Sequence, residues 1–305
     1  MIGRTVVAVI VTYQPDIRAT RALLWAVAPQ VDDVVLVDNG SSPTSILALH
    51  TATDELGVTL VELDANRGIA AAQNVGIAWA RKRGATFVLL SDQDSIPEND
   101  MVARLLAGFA RAVAIGVPVA AVGPVTEDDR NKGAVLLFSE HRWGPRRTHV
   151  PDDEGALVPA AFLIASGCLI SANALDAVGL MNEPWFIDHI DLEWGLRARR
   201  AGYALYGVAG AHLKHQLGDR TQRIPGRSRD VHIHSPVRNY YMARNTVFLI
   251  RSGLMVTRWR WGYAAWITKY AVFYVLSVPP RARRAKLLAR GLLDGARGRT
   301  GPLTG

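Results

Sequence analysis

Over its first 125 residues the chain alternates short β-branched apolar runs with helical patterns, and this alternation constrains the fold more than any other feature. Residues 6–12, 34–38, 58–63 and 87–90 read as strands. Residues 17–28, 69–83 and 97–114 read as helices, with Gly84 at a stop position and Pro97 near a start. Repeated strand–helix–strand order predicts an α/β domain with a mostly parallel central sheet. Ligands of such sheets bind beyond the carboxyl ends of the strands, so the residues that follow each strand are the first candidates for a site.

Those residues are polar in every case. The first strand runs into Thr12 and Tyr13, the second into Asp38-Asn39-Gly40-Ser41-Ser42, and the third into Asn66-Arg67-Gly68. A carboxylate such as Asp38 accepts the imide N–H of uracil or thymine, although Asp-Asn-Gly-Ser is equally a good turn. The segment from Asn66 to Asn74 opens a helix with Gly68 and three alanines. Small side chains there let a diphosphate approach the free N–H groups, with Arg67 adding charge, and they also suit close packing on a sheet. The fourth strand ends in Ser91-Asp92-Gln93-Asp94-Ser95. Carboxylates at i and i+2 of an extended segment point the same way, so Asp92 and Asp94 form an oxygen donor set suited to Mg²⁺ or Mn²⁺.

Residues 125–160 are richer in Gly, Pro and charge and read as an irregular insertion or hairpin. A second block holds an apolar run at 161–170, a helix from Ser171, a charged helix over 188–201 and a strand near 204–208. Its string Phe186-Ile187-Asp188-His189-Ile190-Asp191-Leu192-Glu193-Trp194 places three carboxylates within six residues beside aromatic rings. A partly buried Asp suits general-base work, while Asp188 as N-cap and a Glu193–Arg197 pair are the plain structural readings. His215, just after the last strand, is a candidate to complete a cation site begun by Asp94.

Charge is unevenly distributed. The chain carries +8 overall, but residues 255–305 hold ten Lys/Arg against the single acid Asp294, leaving about −1 on the rest. The same segment has aromatic or apolar residues at 259, 263, 266, 270, 273, 274 and 277, a helical stripe. Its longest uncharged stretch, 270–280, falls short of the roughly 20 residues that span a bilayer. Peripheral membrane contact through this segment is the expectation, with packing on the body as the alternative. No nucleic-acid motif accompanies the basic charge, so nucleic acid is not an expected partner. One cysteine, Cys168, excludes an internal disulfide and fits a reducing compartment. The run at the N-terminus reads as a buried strand and not as a secretory signal.

Taken in order, VAVIVTYQPD, VLVDNGSS, NRGIAAAQN, SDQDS, ASGCLIS, FIDHIDLEWGLRAR, HQLGD and RNYYMARN resemble the inverting glycosyltransferase family 2, and within it the bacterial rhamnosyltransferases. The resemblance covers about residues 5–250. It implies a GT-A fold, the Rossmann-like nucleotide-diphospho-sugar transferase fold, with Mg²⁺ or Mn²⁺ as cofactor. It implies that Asp38 contacts the base and Asp92 the ribose or metal shell, with Asp94 and His215 holding the cation. Asp191 would be the catalytic base, and Glu193 and Trp194 would shape the sugar or acceptor pocket. Thr12, Tyr13, Asn66, Arg67 and Asn74 complete the expected donor-binding set.

The expected organisation is a nucleotide-sugar half (1–125), a catalytic and acceptor half (126–235) and a helical, basic extension (236–305). The expected reaction moves a sugar, L-rhamnose from dTDP-L-rhamnose in the leading reading, to a lipid-linked or polysaccharide acceptor at the cytoplasmic face of the cell membrane. Another UDP- or dTDP-sugar such as galactofuranose is the alternative donor. A sugar nucleotidylyltransferase is a further alternative, but its Gly-rich phosphate loop is missing after residues 6–12.

Overall fold

A computed structural model describes residues 4–128, 134–215, 220–222 and 231–304. In chain order the first half contains β1 (Val6–Thr12), α1 (Ile17–Val27), β2 (Asp33–Asp38), α2 (Pro43–Asp54), β3 (Thr59–Glu62), α3 (Ile69–Lys82), β4 (Phe87–Asp92), β5 (Ser95–Pro97), α4 (Met101–Ala114) and β6 (Val119–Asp128). Short strands β7 (Ala134–Val135), β8 (Phe138–Ser139), β9 (Arg146–Arg147) and β10 (Leu157–Pro159) lead to β11 (Cys168–Ser171), α5 (Ala172–Val178), α6 (Ile190–Arg200) and β12 (Ala204–His215). The small hairpin β13 (Arg220–Gln222) and β14 (Val231–Ile233) precedes α7 (Pro236–Arg251), α8 (Thr257–Ser277) and α9 (Arg281–Ala296).

The main sheet has the order β10-β12-β6-β11-β4-β1-β2-β3. Strands β3, β2, β1 and β4 are parallel, as the strand–helix alternation requires. Beyond β4 the sheet becomes mixed, because β11 runs antiparallel to both β4 and β6. Every residue of β1 is buried. Such a strand, apolar on both faces, belongs at the centre of a sheet covered on both sides. One face packs against α3, where Gly76 lies so close to Val9 that an added Cβ would sit 2.2 Å from its side chain. Ala70, Ala71 and Ala72 at the start of α3 are buried, so the packing reading of that segment holds.

Three local expectations change. Pro97 does not open a helix: it closes β5, whose Ser95–Pro97 pairs with residues 213–215 of β12, and α4 begins at Met101 after a turn. Residues 43–54 form a helix that the hydrophobic pattern left unmarked. Ser42 caps it through its hydroxyl and Pro43 sits at its first turn, just after the residues that read as a turn. The position-125 boundary falls inside β6, which continues to Asp128 as a long strand beside β12.

The C-terminal helices pack on the body and on each other. Gly291 and Gly295 of α9 let it approach α7 closely: a Cβ on Gly291 would lie 2.3 Å from the Tyr240 carbonyl oxygen. The aromatic stripe of α8 forms a ladder of Tyr263, Trp266, Tyr270 and Tyr274, with successive centroids 6.0, 5.3 and 4.5 Å apart, that runs from the exposed Trp266 to the buried Tyr274. Part of the basic charge is internal too. Arg284 is buried, donating to the carbonyls of Pro279 and His234 and to Asn239 Oδ1. Among the described residues, no helix is long and apolar enough to cross a membrane.

Candidate active site

A cleft of about 620 Å³ opens at the carboxyl ends of β1 and β4. Thr12, Tyr13, Asn39 and Asn66 line it from the first strands, Asp92, Gln93 and Asp94 from the end of β4, and Asp191 from the first turn of α6. Carboxylates about a hundred residues apart in the chain therefore share one space.

The loops of this cleft are tied to one another. Gln93 Oε1 accepts from the Tyr13 backbone N–H at 2.8 Å, fixing the middle of Asp-Gln-Asp to the end of β1. Asn39 Oδ1 accepts from Arg67 N at 2.9 Å, and Asn66 Oδ1 accepts from Asn39 Nδ2 and Gly68 N. Gly68 has φ +89°, and a Cβ there would lie 2.5 Å from the Phe186 carbonyl oxygen, which accepts from Ile69 N at 2.8 Å. Only glycine permits this contact, which closes the donor-side loop onto the loop that leads to Asp191.

That second loop is strained. Phe186, Asp188 and His189 have φ of 69°, 67° and 64°, in the left-handed region that non-glycine residues avoid. Each such residue costs roughly 1–3 kcal/mol and persists only where its surroundings impose it. Here α7 imposes it. Asn245 Nδ2 donates to the carbonyls of Trp185, Ile187 and Asp188 at 3.0, 2.7 and 3.0 Å. Arg244, fully buried, donates to Trp185 O at 2.8 Å, and Tyr241 stacks on Phe186 at 5.0 Å. Thr246 bonds the His189 ring, and Arg238 grips the Asp188 carboxylate with Nη2 at 2.5 Å. Asp188 is therefore not the N-cap of α6. That position is His189, which makes no side-chain cap, because Arg238 takes the Asp188 oxygens.

Asp191 is half-buried at the edge of the cleft. Burial, then the charge of Asp92, push its carboxyl up to about 7, against an opposing hydrogen bond from Ala165 N at 3.0 Å. Ser166 donates to Asp92 from the same segment. Burial holds His189 low, at about 4, so its imidazole is neutral. Cys168 is buried with its thiol pushed up by desolvation, and carries no nucleophilic character.

Several expected residues stand elsewhere. Asp38 is fully buried behind the cleft, its oxygens accepting from Thr12 Oγ1, Ser41 N and Ser41 Oγ at 3.1, 2.7 and 2.6 Å. Arg67 is exposed and does not line the cleft. Asn74 is buried in a clamp with Met181 and Glu183, joining α3 to the segment before α6. Glu193 bonds Arg197 and Asn182, and Trp194 Nε1 donates to Gly179 O, so both side chains pack away from the cleft. The i,i+4 pairing that the sequence allowed for Glu193 is what forms. His215 ends β12 with its backbone paired to Ser95, next to Asp94, and its side chain lies outside the described residues, as do 216–219 of the HQLGD string. Conversely, His234 and Arg238 line the cleft, Arg238 while paired with Asp188. The RNYYMARN string was the available signal for it.

The family model for glycosyl transferase family 2 matches residues 7–179, more than half of the chain. The chain belongs to that family. It is 33% identical over 245 residues to the dTDP-rhamnosyl transferase RfbF of Shigella flexneri, covering 80% of this chain and 79% of that one. It is 25% identical over 277 residues to the galactofuranosyltransferase GlfT1 of Mycobacterium tuberculosis, covering 87% and 90%. The fold is that of the GT-A glycosyltransferases. Staphylococcus aureus TarS 1-349 with UDP-GlcNAc superposes with a TM-score of 0.60 at 13% identity, over 97% of this chain and 81% of that one. The mannosyltransferase PcManGT of Pyrobaculum calidifontis, with GDP-Man and Mn²⁺, gives 0.53 at 16% identity, over 96% and 75%. The protein is thus a glycosyltransferase. The family match ends before α6, so the strained loop and Asp191 are read from the geometry.

Proposed function

We propose that the protein is an inverting rhamnosyltransferase that uses dTDP-L-rhamnose, with Asp191 as the catalytic base. The observation that carries this reading is the convergence of Asp92, Asp94 and Asp191 on one cleft, in a chain one-third identical to a dTDP-rhamnosyl transferase. The nucleotide lies along the ends of β1 and β2, contacted by Thr12, Tyr13, Asn39 and Asn66. Asp38 acts from behind, as the buried acceptor that shapes the loop at residues 39–41.

The donor set fits a divalent cation. Asp92 and Asp94 offer hard oxygens, and the repulsion that raises Asp191 marks a cleft with excess negative charge. Among the described residues no group of three or more His, Cys, Asp or Glu could by itself hold a metal. Mg²⁺ and Mn²⁺ commonly take one or two carboxylates and complete their shell with substrate phosphates and water. Asp94, with Asp92 beside it, would hold the ion, and His215 is the further candidate. When bound, the ion supplies charge neutralisation for the departing nucleotide diphosphate.

Asp191 then takes the proton of the acceptor hydroxyl. The hydroxyl oxygen bonds to the anomeric carbon as the bond from that carbon to the diphosphate oxygen breaks. The electron pair leaves with the nucleotide, and configuration at the anomeric carbon inverts. The 25% identity to galactofuranosyltransferases supports a furanosyl donor as the second reading. Incubation with dTDP-L-rhamnose, UDP-galactofuranose and UDP-glucose, scored by nucleotide release, tests the donor assignment. Preference for dTDP-L-rhamnose is expected, and preference for a UDP-sugar would replace it.

The lipid-linked acceptor and the membrane contact belong to the same proposal. On α8, Trp261, Val272 and Leu276 are exposed, as are Arg281, Arg283 and Lys286 on α9, a combination suited to an anionic membrane surface. Sedimentation with vesicles containing phosphatidylglycerol is expected to bring the protein down at low salt. Equal recovery with purely zwitterionic vesicles would count against it.

A further inference from the structure

The parallel pairing of β1 with β4 ends where Val11 stands opposite Asp92, and the chain then turns at residues 93–94 into β5. A strand that turns away leaves its neighbour's peptide groups in need of other partners. Here the side chain of Gln93 stands in for the departed strand. Its Oε1 accepts from Tyr13 N at 2.8 Å and its Nε2 donates to Tyr13 O at 3.4 Å, so one amide meets both backbone groups of one residue. The backbone on either side of it meanwhile brings Asp92 and Asp94 to the cleft.

The far side of the same loop is held independently. Gln14 has φ 46°, in the left-handed region. Its N–H donates to Ser41 Oγ at 2.8 Å, and Ser41 Oγ donates in turn to the buried Asp38. Residues 13 and 14 are thus pinned between the loop after β2 and the acids at the end of β4. Tyr13, about half exposed, lines the cleft.

We propose that Gln93 is a positioning residue that keeps the nucleotide-contacting loop in register with the cation-binding acids. The inference rests on the donor reading above, in which Tyr13 contacts the nucleotide while Asp92 and Asp94 hold the ion at its diphosphate. A nucleoside diphosphate engages both places as one ligand, and it gains from both together only when their spacing suits it. Gln93 sets that spacing, because it lies between the two acids in the chain and its amide holds Tyr13 directly. Ser41 orders the same loop from the side of β2, through Gln14 and Asp38.

Binding of dTDP to the full chain, measured by titration calorimetry with and without Mn²⁺, gives the factor by which the cation tightens the nucleotide. In Gln93→Met, close in size but lacking both hydrogen bonds, that factor is expected to fall about fivefold, the worth of one net hydrogen bond. Gln93→Asn keeps the amide but draws it back by one methylene, and a fall in the same direction is expected. Ser41→Ala is expected to weaken dTDP equally in the two conditions and so to leave the tightening as it is. Lower melting temperatures with unchanged tightening in both Gln93 variants would overturn the proposal, and so would an equal loss of tightening in Ser41→Ala. Wild-type dTDP binding that Mn²⁺ leaves unaltered would instead remove the cation reading on which the inference stands.

Discussion

At the scale of single residues, Asp191 is a half-buried carboxyl in a cleft that raises its pKa. Asp191 is the base only when ionised, so the rate is expected to rise with pH and level off, on a limb that lies near 7 without a cation and moves lower when one offsets the charge of Asp92. The same shift has a stability consequence of definite sign. A carboxyl raised from 3.8 to about 7 keeps its proton in the folded chain after the unfolded chain has lost it. Its contribution is therefore neutral below about 4, turns against folding between about 4 and about 7, and stays unfavourable above that. Asp191→Asn retains an acceptor for Ala165 N and removes the charge. It is expected to melt higher than the wild-type chain at pH 8 and equally at pH 4, while transfer falls by on the order of 10²–10⁴. Thermal melts at the two pH values check the first half, and a lower melting point for the variant at pH 8 would contradict it. Asp191 could be chosen from the sequence because three acids within six residues are conspicuous. The exclusion of Glu193 was within reach too, since residues two apart on a helix do not share a face; which of the two meets the cleft depends on three left-handed residues that no pattern announces.

At the scale of elements, α7 is the part that sequence reading undervalued. Strand ends were legible because parallel strand–helix alternation dictates where a site must lie, and β1, β2, β3 and β4 place Thr12, Asn39, Asn66 and Asp92 accordingly. Helix α7 lies outside that alternation. Its polar residues Asn239, Arg244, Asn245 and Thr246 are fully buried, which no pattern in the sequence marked. Arg244 and Asn245 satisfy the carbonyls of residues 185, 187 and 188, Thr246 holds the His189 ring, and Asn239 bonds Tyr270 and Arg284. Asn245→Ala would strand those carbonyls at a cost of about 1–3 kcal/mol and let the loop relax. Leu249→Ala, at a buried apolar position of the same helix, removes packing worth about 2–5 kcal/mol without touching the loop. The expected outcome is a tenfold or larger loss of kcat for Asn245→Ala, with a smaller loss for Leu249→Ala despite equal or greater destabilisation. Parallel losses of kcat in the two variants would show that α7 acts through stability alone.

At the scale of the whole molecule, the chain returns at its end to brace what its middle builds. Arg244 donates to Gly301 O at 2.6 Å and Tyr241 OH accepts from Leu303 N at 2.7 Å, while Gly301 N donates to Pro184 O at 2.8 Å. The last residues thereby buttress α7 and the approach to Asp191. Deleting residues 300–305 is expected to lower stability by about 1–3 kcal/mol and to lower kcat with it, although no atom removed reaches the cleft. The basic, aromatic character of residues 255–305 was plain in the sequence, but its division was not: Arg284, Trp259 and Tyr274 are buried, while Trp261, Trp266 and most of the other cations are presented to solvent. The central claim is that acids from the end of β4 and the start of α6 act on one bound donor. Nucleotide release from dTDP-L-rhamnose, measured at pH 8 with and without Mn²⁺ for wild type, Asp94→Ala and Asp191→Asn, tests it most directly. The account predicts release that depends on the added metal in the wild-type chain and falls at least a hundredfold in either variant. Wild-type rates in both variants would contradict it.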